Sequence, residues 1–132
     1  MIEINNKTKT EIDIALIKNI SQSFLKYYKL KKNLSIAFVG DIVIKKLNKQ
    51  YRGKDRVTDI LSFDGDDDDL GEIIIDLAQI KRQAKKYSKS FQEELIFILV
   101  HGLLHLIGYD DQNEKEREII IKKGEDFIKN IL

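Results

Sequence analysis

Apolar residues recur along this chain with two spacings, one typical of strands and one typical of helices. Short runs of β-branched and other apolar residues predict strands. The predicted strands are residues 2–5, 34–39, 58–63 and 72–75. Apolar residues three and four positions apart predict helices. The predicted helices are residues 11–28, 41–51 and 77–87, one helix that follows Ser90, and one that follows Asn113.

Two of the predicted helices begin with a recognisable capping pair. Ser90 with Glu93 forms a capping box, and Asn113 with Glu116 repeats the same spacing. The segment after the first pair, LIFILVHGLLHLI, is apolar on every side of a helix. A helix of that kind is expected to be buried in the core.

Two segments are harder to assign. Residues 42–51, IVIKKLNKQY, begin with β-branched residues that suit a strand, although Asp41 before them is a typical helix N-cap. Residues 64–69 hold five aspartates around one glycine. Their mutual repulsion predicts an exposed turn between two strands.

The order β-α-β-α-β-β-α-α-α predicts an α+β fold. We expect a small mixed four-stranded sheet with about five helices packed around a buried central helix, and that helix carries the candidate metal ligands. A length of 132 residues suits one core, so the chain is expected to form one domain over residues 1–132.

The amino-acid composition excludes some classes of function for this chain. Hydrophobic residues make up 42% of the chain and the formal net charge is +1, which excludes a disordered or strongly charged tail. The chain has no cysteine, so a metal site would have to use His, Asp or Glu. The apolar runs are short and interrupted by charges, and we expect no membrane association and a cytoplasmic location.

The stretch HGLLHLIGYDDQ, residues 101–112, holds both histidines of the chain. On a helix, His101 and His105 share one face and their imidazoles can converge on one point. Gly108 is a natural helix stop, after which Asp110 or Asp111 can supply a carboxylate. Two structural histidines are the simpler alternative, but the apolar run offers them few polar partners. The spacing therefore favours a metal site.

Three nitrogen and oxygen ligands describe a catalytic zinc site with an open position rather than a structural one. Helical zinc proteases carry a glutamate directly after the first histidine, and here that residue is Gly102. Peptide hydrolysis is therefore not expected.

HGLLHLIGYDD resembles the signature of the YbeY family of metal-dependent endoribonucleases and rRNA maturation factors, HGxLHLxGYDH. A second block of similarity lies upstream, LNKQYRGKDRVTDILSF at 47–63 followed by LGEIIIDL at 70–77. The resemblance implies a zinc site formed by His101, His105 and Asp111, with Asp111 where the family has a third histidine. The sequence also departs at Asp64, where the family usually has proline.

The resemblance implies that Arg52 is the active-site arginine, and the expected catalytic residues are Arg52 and His101. Between Lys45 and Arg56 the chain has six basic residues against one acid, Asp55. A solvated surface explains such a cluster as well as a nucleic-acid patch does. With the resemblance, Arg52 is expected to offset charge on a phosphate, while the other cations hold the RNA backbone.

The implied function is a single-strand-directed endoribonuclease acting on rRNA precursors, with the small ribosomal subunit as a further candidate partner and no DNA substrate. An RNA- or ribosome-binding assembly factor with a structural metal is the main alternative. An iron oxygenase is a third interpretation of two histidines and one carboxylate, but it lacks the strand context expected of such sites. Ser62 and Glu72 match family positions only loosely, and the sequence shows no convincing general base.

Overall fold

The computed structural model describes residues 1–131, which form four strands and five helices in the predicted order. The strands are β1 (Ile2–Asn6), β2 (Asn33–Val39), β3 (Ile60–Asp64) and β4 (Asp69–Asp76). The helices are α1 (Ile14–Tyr27), α2 (Asp41–Arg52), α3 (Leu77–Lys86), α4 (Phe91–Leu106) and α5 (Glu114–Ile131). The predicted α+β class with a mixed four-stranded sheet is confirmed.

The four strands form one sheet in the order β1-β2-β4-β3. Strand β2 pairs in parallel with β1 and β4, and β3 pairs antiparallel with β4. Ile36 in β2 lies opposite both Ile4 and Ile73. The two inner strands, β2 and β4, have continuous apolar runs, residues 36–39 and 73–75, where helices cover both faces of the sheet.

The two faces of the sheet are covered unequally. Helix α2 lies on one face, where Ile44 packs into a small apolar cluster with side chains of β2, β3 and β4. The opposite face carries the main core, to which α1, α3, α4 and α5 all contribute. Phe24, Phe38 and Phe127 are among its largest fully buried side chains. Most of the hydrophobic stabilisation therefore lies on the face that contains α4.

Helix α4 is the buried central helix that the sequence predicted. Ser90 and Glu93 form the complete capping box, in which the Ser90 side chain accepts from the Glu93 N–H and the Glu93 side chain accepts from the Ser90 N–H. At Gly102, an added Cβ would lie 2.4 Å from Ile60 Cδ1. At Gly124, an added Cβ would be in ordinary contact with α4, 3.6 Å from Val100 Cγ1. The missing side chain at Gly102 lets α4 approach β3 closely, whereas the contact with α5 at Gly124 leaves room for a Cβ.

The structure decides one segment that the sequence left ambiguous and corrects two local predictions. The ambiguous segment 42–51 is helical, but Asp41 does not cap it. Gly40 is the N-cap without a side-chain hydrogen bond, and Asp41 instead accepts two bonds from Arg82 of α3, at 2.7 and 3.1 Å. The aspartate-rich turn is shorter than predicted, because pairing of Asp69 with Asn33 of β2 extends β4 back to Asp69.

Within residues 1–131, none of the helices combines the length and the apolar character needed to cross a membrane.

Candidate metal centre and active-site cleft

The structure brings together the three residues that were predicted to bind a metal. His101 and His105 lie one turn apart on α4, and the Asp111 carboxylate reaches the same point from beyond the helix. The Oδ2 atom of Asp111 lies 3.1 Å from His101 Nε2 and 3.5 Å from His105 Nε2. All three residues are partly buried, so their side chains are restricted but reachable from solvent.

The turn after α4 explains how Asp111 reaches the histidines. Gly108 adopts φ +106°, a left-handed conformation that favours glycine. The Tyr109 N–H then donates to the Leu104 carbonyl, which folds the chain back along the helix. Asp110 is occupied in the turn itself, where its Oδ1 accepts from the Asp111 N–H at 2.8 Å. Between the two candidate carboxylates, the structure therefore directs Asp111 and not Asp110 to the histidines.

The geometry and the chemistry of the three side chains fit a divalent transition metal. Ligand atoms bound tetrahedrally at zinc distances are roughly 3.3 Å apart. The 3.1 and 3.5 Å separations of Asp111 from the two histidines bracket that value, and all three ligand atoms lie within 4.8 Å of one another. Imidazole nitrogens with one carboxylate also suit zinc, manganese or iron. The group could therefore hold a metal ion with little rearrangement.

The Asp111 carboxyl is held in its charged form. Burial alone raises its pKa, but the hydrogen bond with His101 and the charge of His105 outweigh this effect, so the pKa lies below the ordinary value of 3.8. A carboxylate that stays ionised at neutral pH is ready to bind a cation.

The glutamate typical of helical zinc proteases would not fit this protein. Gly102 is buried and faces the sheet, where a Cβ would lie 2.4 Å from Ile60 Cδ1 and 3.3 Å from Ser62 Oγ. A side chain at this position would point into β3 rather than toward the histidines. The exclusion of that protease mechanism is therefore a matter of packing as well as of residue type.

Arg52 lies in the same cleft as the three ligand candidates, although it comes from α2 on the other face of the sheet. It is the last residue of that helix, which ends at Gly53 in a left-handed conformation, φ +68°. The side-chain amide of buried Asn48 donates to the Arg56 backbone carbonyl, and the backbone carbonyl of Asn48 accepts from the Lys54 N–H. These bonds fix the turn beside Arg52.

The cleft has a volume of about 900 Å³ and contains residues from both sides of the sheet edge at β3. Four aromatic residues line it, and two of them, Tyr51 and Tyr87, are more than half exposed. Of the six cations between Lys45 and Arg56, Arg52 lines this cleft, while the other five lie exposed outside its described lining. One residue of the basic cluster, Arg52, therefore lies at the site, and the other five form an exposed surface outside the described cleft lining.

Sequence reasoning missed a polar network at the far end of the cleft. Glu94 is 1% exposed, and its carboxylate accepts from Gln83 at 3.0 Å and pairs with Lys89 at 3.4 Å. Gln83 also donates to Asp59 at 3.3 Å. The periodicity of α4 gives a weak signal for Glu94, because it lies seven residues before His101 on the same face. This network joins α3, α4 and the segment before β3.

Arg117 is a second cleft residue that sequence reasoning missed. The available signal was its position one turn before Ile121, on the side of the last helix that also carries apolar residues. The two residues that match family positions only loosely lie in different places. Ser62 lines the cleft, whereas Glu72 borders a different groove and accepts from Ser35 at 3.5 Å.

Fold and site together define a class of protein: an α+β domain whose buried helix presents two histidines to a carboxylate in a cleft that also contains an arginine. A sequence model described as endoribonuclease YbeY matches residues 2–132. The chain belongs to the endoribonuclease YbeY family, as the resemblance in the sequence indicated.

Individual relatives agree with this assignment. The endoribonuclease YbeY of Carboxydothermus hydrogenoformans is 40% identical, with 97% of this chain and 95% of the relative covered. That of Finegoldia magna is 37% identical, over 99% of this chain and 94% of the relative. The solution structure of a Thermotoga maritima protein has a TM-score of 0.66 and 31% identity, and the match covers 97% of this chain and 89% of that one.

Proposed function

We propose that this protein is a metal-dependent endoribonuclease that cleaves single-stranded RNA in rRNA maturation. The observation that carries the proposal is the convergence of His101, His105 and Asp111 in a cleft that also holds Arg52. Membership of the endoribonuclease YbeY family supports the same activity. We further propose that residues 1–132 form one domain and that the resident metal is zinc.

Each residue of the site has a proposed task in phosphodiester hydrolysis. The Nε2 atoms of the two histidines and the Oδ2 atom of Asp111 would hold the ion. When bound, such an ion supplies a Lewis acid and lowers the pKa of water. Arg52 would place its planar guanidinium against the non-bridging phosphate oxygens, where negative charge increases as the water oxygen attacks phosphorus. As that bond forms, one P–O ester bond breaks, and the proton that water loses is balanced by the one that the departing ribose oxygen takes up. His101 and Arg52 are therefore the proposed catalytic residues.

The lining of the cleft supports a single-stranded substrate. Aromatic side chains stack on unpaired bases without selecting a sequence. The aromatic residues of the cleft are Tyr51, Phe63, Tyr87 and Phe97. Tyr51 is 60% exposed and its ring is held edge-on against Phe63, with centroids 5.2 Å apart. A base that has left a duplex could stack on such a ring, whereas a paired base could not.

The finer assignments follow from this substrate class. An rRNA precursor, with the small ribosomal subunit as a candidate partner, would place the protein in the cytoplasm. No DNA substrate is proposed. A second candidate function, an RNA-binding assembly factor with a structural metal, is favoured by one observation. Five of the six basic residues between Lys45 and Arg56 lie exposed outside the described lining of the cleft, where they could bind RNA without cleaving it.

The experiment that tests the enzyme compares wild type with Arg52→Ala and His101→Ala on a labelled single-stranded RNA. Lys18→Ala is the control, because it removes an exposed cation of α1 that lies outside both the basic segment 45–56 and the described cleft lining. We expect Arg52→Ala and His101→Ala to reduce cleavage by roughly 100-fold or more, and Lys18→Ala to change it by less than about threefold.

Equal cleavage by all four proteins would indicate a contaminating nuclease and would favour the binding role. Proteins purified without an affinity tag should also be analysed for metal. We expect about one equivalent of a transition metal in wild type and in Arg52→Ala, and much less in His101→Ala. A metal-free wild type that still cleaves RNA would contradict the proposal.

A further inference from the structure

Arg117 lies near the beginning of α5, on the side of the helix that faces the cleft. Ile121, one turn further along, lines the same cleft. Lys115 and Lys123 are exposed on the same helix and do not contribute to the described lining. The cleft side of α5 therefore presents one cation, while neighbouring cations of the helix point elsewhere.

The packing of α5 against α4 sets the level of Arg117 along the cleft. A short connection joins the two helices, so they run antiparallel. Gly124 packs against Val100 and Leu104 of α4. Arg117 precedes Gly124 by about two turns, which corresponds to the end of α4 where His105 and the turn to Asp111 lie. The arginine is therefore level with the candidate metal centre.

The guanidinium of Arg117 has no ion pair or hydrogen bond with the side chains of residues 1–131. Arg82, in contrast, is held by two bonds to the Asp41 carboxylate. On α5 itself, Lys122 pairs with Asp126 at 3.5 Å. A guanidinium has five N–H donors in a planar fork that matches phosphate oxygens. The donors of Arg117 are therefore available to an anionic ligand.

In the described lining of the cleft, carboxylates outnumber the lysine and arginine side chains. Five carboxylates line the cleft: Asp59, Asp64, Glu94, Asp110 and Asp111. Three cations line it, and one of these, Lys89, is paired with Glu94. In the described part of the chain, Arg52 and Arg117 are thus the two cleft cations without an ion-pair partner. A polyanion can approach this acidic lining only where positive charge offsets it.

We propose that Arg117 is a phosphate-binding, positioning residue that holds the RNA backbone on the α5 side of the cleft while Arg52 binds from α2. The two guanidiniums would bind different phosphates of one strand and lay it across the histidines and Asp111. The contact is to backbone phosphate and does not depend on base sequence. This inference rests on the proposed RNA substrate and extends it by a second anchoring point.

The test measures RNA binding by metal-loaded protein as a function of salt. The probe is a fluorescent single-stranded RNA with phosphorothioate linkages, which keep the negative charge, and a gel confirms that it stays intact. The variants are Arg117→Gln, Arg117→Lys and the matched control Lys115→Gln. We expect Arg117→Gln to raise Kd by roughly three- to tenfold and to reduce the slope of log Kd against log salt by about 0.7. Arg117→Lys should restore the slope but only part of the affinity, since it keeps charge without the planar fork.

In cleavage of ordinary RNA, Arg117→Gln should raise KM more than it lowers kcat, and its metal content should match wild type. If Arg117→Gln binds with the same Kd and salt slope as Lys115→Gln, the inference is wrong while the proposed nuclease function stands. If wild type neither binds nor cleaves RNA, the proposed function and this inference both fail. Loss of metal from Arg117→Gln would assign the residue to the metal centre instead and would also overturn the inference.

Discussion

At the scale of single residues, the third candidate ligand distinguishes this protein from the family signature. Asp111 stands where the signature that the sequence resembles has a histidine, and its ionised carboxylate lies within 3.5 Å of both imidazoles. An anionic oxygen donates more charge to a metal than a neutral imidazole does, so bound water should be less acidic. It also suits harder ions such as manganese better than a third nitrogen would.

We therefore predict that Asp111→His shifts metal preference toward zinc, and that Asp111→Ala loses most of the bound metal. Competition between zinc and manganese, followed by metal analysis, measures both effects. Asp110→Asn is the control, because its side-chain oxygen can still accept from the Asp111 N–H. Full metal occupancy in Asp111→Ala would contradict the assignment of this ligand.

A second residue-scale prediction concerns Asp76, which is fully buried at the start of α3. Its side chain accepts from the Ala78 N–H, but its Oδ2 atom has no hydrogen-bond partner in the described structure. Burial, together with the nearby carboxylate of Asp41, raises the pKa of Asp76 from 3.8 to about 7. The neutral carboxylic acid is therefore the form that the fold favours.

Because the folded-state pKa is raised, Asp76 favours folding fully below pH 3.8, and this contribution is lost as the pH rises to about 7. Asp76→Asn keeps an N-cap oxygen and stays neutral. We predict that its free energy of unfolding exceeds that of wild type by roughly 1–3 kcal/mol at pH 8, with the difference shrinking toward pH 4. Urea denaturation at several pH values measures this, with Asp126→Asn as an exposed control. A difference that does not change with pH would contradict it.

Local sequence predicted the parts of the site that are close together in the chain. His101, His105 and the two aspartates lie within eleven residues, and helix geometry plus one glycine turn is enough to bring them together. Arg117 could not be predicted in the same way, because its place in the cleft depends on how α5 packs against α4. Glu94 had only the weak signal of its spacing from His101 along α4.

At the scale of elements, two glycines lie where α4 contacts its neighbours, and only Gly102, at the contact with β3, lacks room for a Cβ. An added Cβ at Gly102 would meet Ile60 Cδ1 at 2.4 Å, far inside contact distance. An added Cβ at Gly124 would meet Val100 and Leu104 at 3.6 and 3.7 Å, which is ordinary packing.

We predict opposite effects from the same substitution. Gly102→Ala should destabilise the protein by roughly 1–3 kcal/mol, because α4 must move away from β3 or Ile60 must repack. Gly124→Ala should stabilise it by up to about 1 kcal/mol, because alanine has the higher helix propensity. Chemical denaturation of both variants provides the comparison. Equal effects would show that the contact between α4 and β3 yields more easily than the geometry indicates.

Elements with strong local signals were predicted well, and those that depend on pairing were not. Both capping pairs begin helices as expected, since the bonds lie within four residues. The start of β4 was placed too late because its first residues, such as Asp69, are polar and join the sheet only by pairing. The segment 42–51 became a helix because one side of it, around Ile44, is buried against the sheet.

At the scale of the whole molecule, charge is unevenly distributed although the net charge is only +1. The exposed cations between Lys45 and Arg56 lie on and after α2, whereas the aspartates of 64–69 lie at the end of β3, in the β3–β4 turn and at the start of β4. Both charged segments could be identified in the sequence, but the strand order β1-β2-β4-β3 could not, because it depends on long-range pairing.

We predict that RNA affinity falls steeply with salt, because several phosphates are neutralised at once. Replacing Lys45 and Lys46 together by glutamine should reduce the slope of log Kd against log salt by up to about 1.4. Replacing two exposed lysines on a distant helix, Lys18 and Lys26 of α1, is the matched control. An affinity that does not depend on ionic strength would contradict a role for this surface.

The buried position of α4 would couple binding of the proposed ion to the stability of the whole fold. Two of the proposed ligands belong to the helix around which the main core is built, and the third follows it by a single turn. An ion that binds only the folded chain stabilises it by about 2.7 kcal/mol at a hundredfold excess over Kd. The melting temperature should therefore report how much of the protein has the ion bound. It should rise when the cation is supplied and fall when a chelator removes it. Scarcity of the metal in a cell would then lower the amount of this protein as well as its rate.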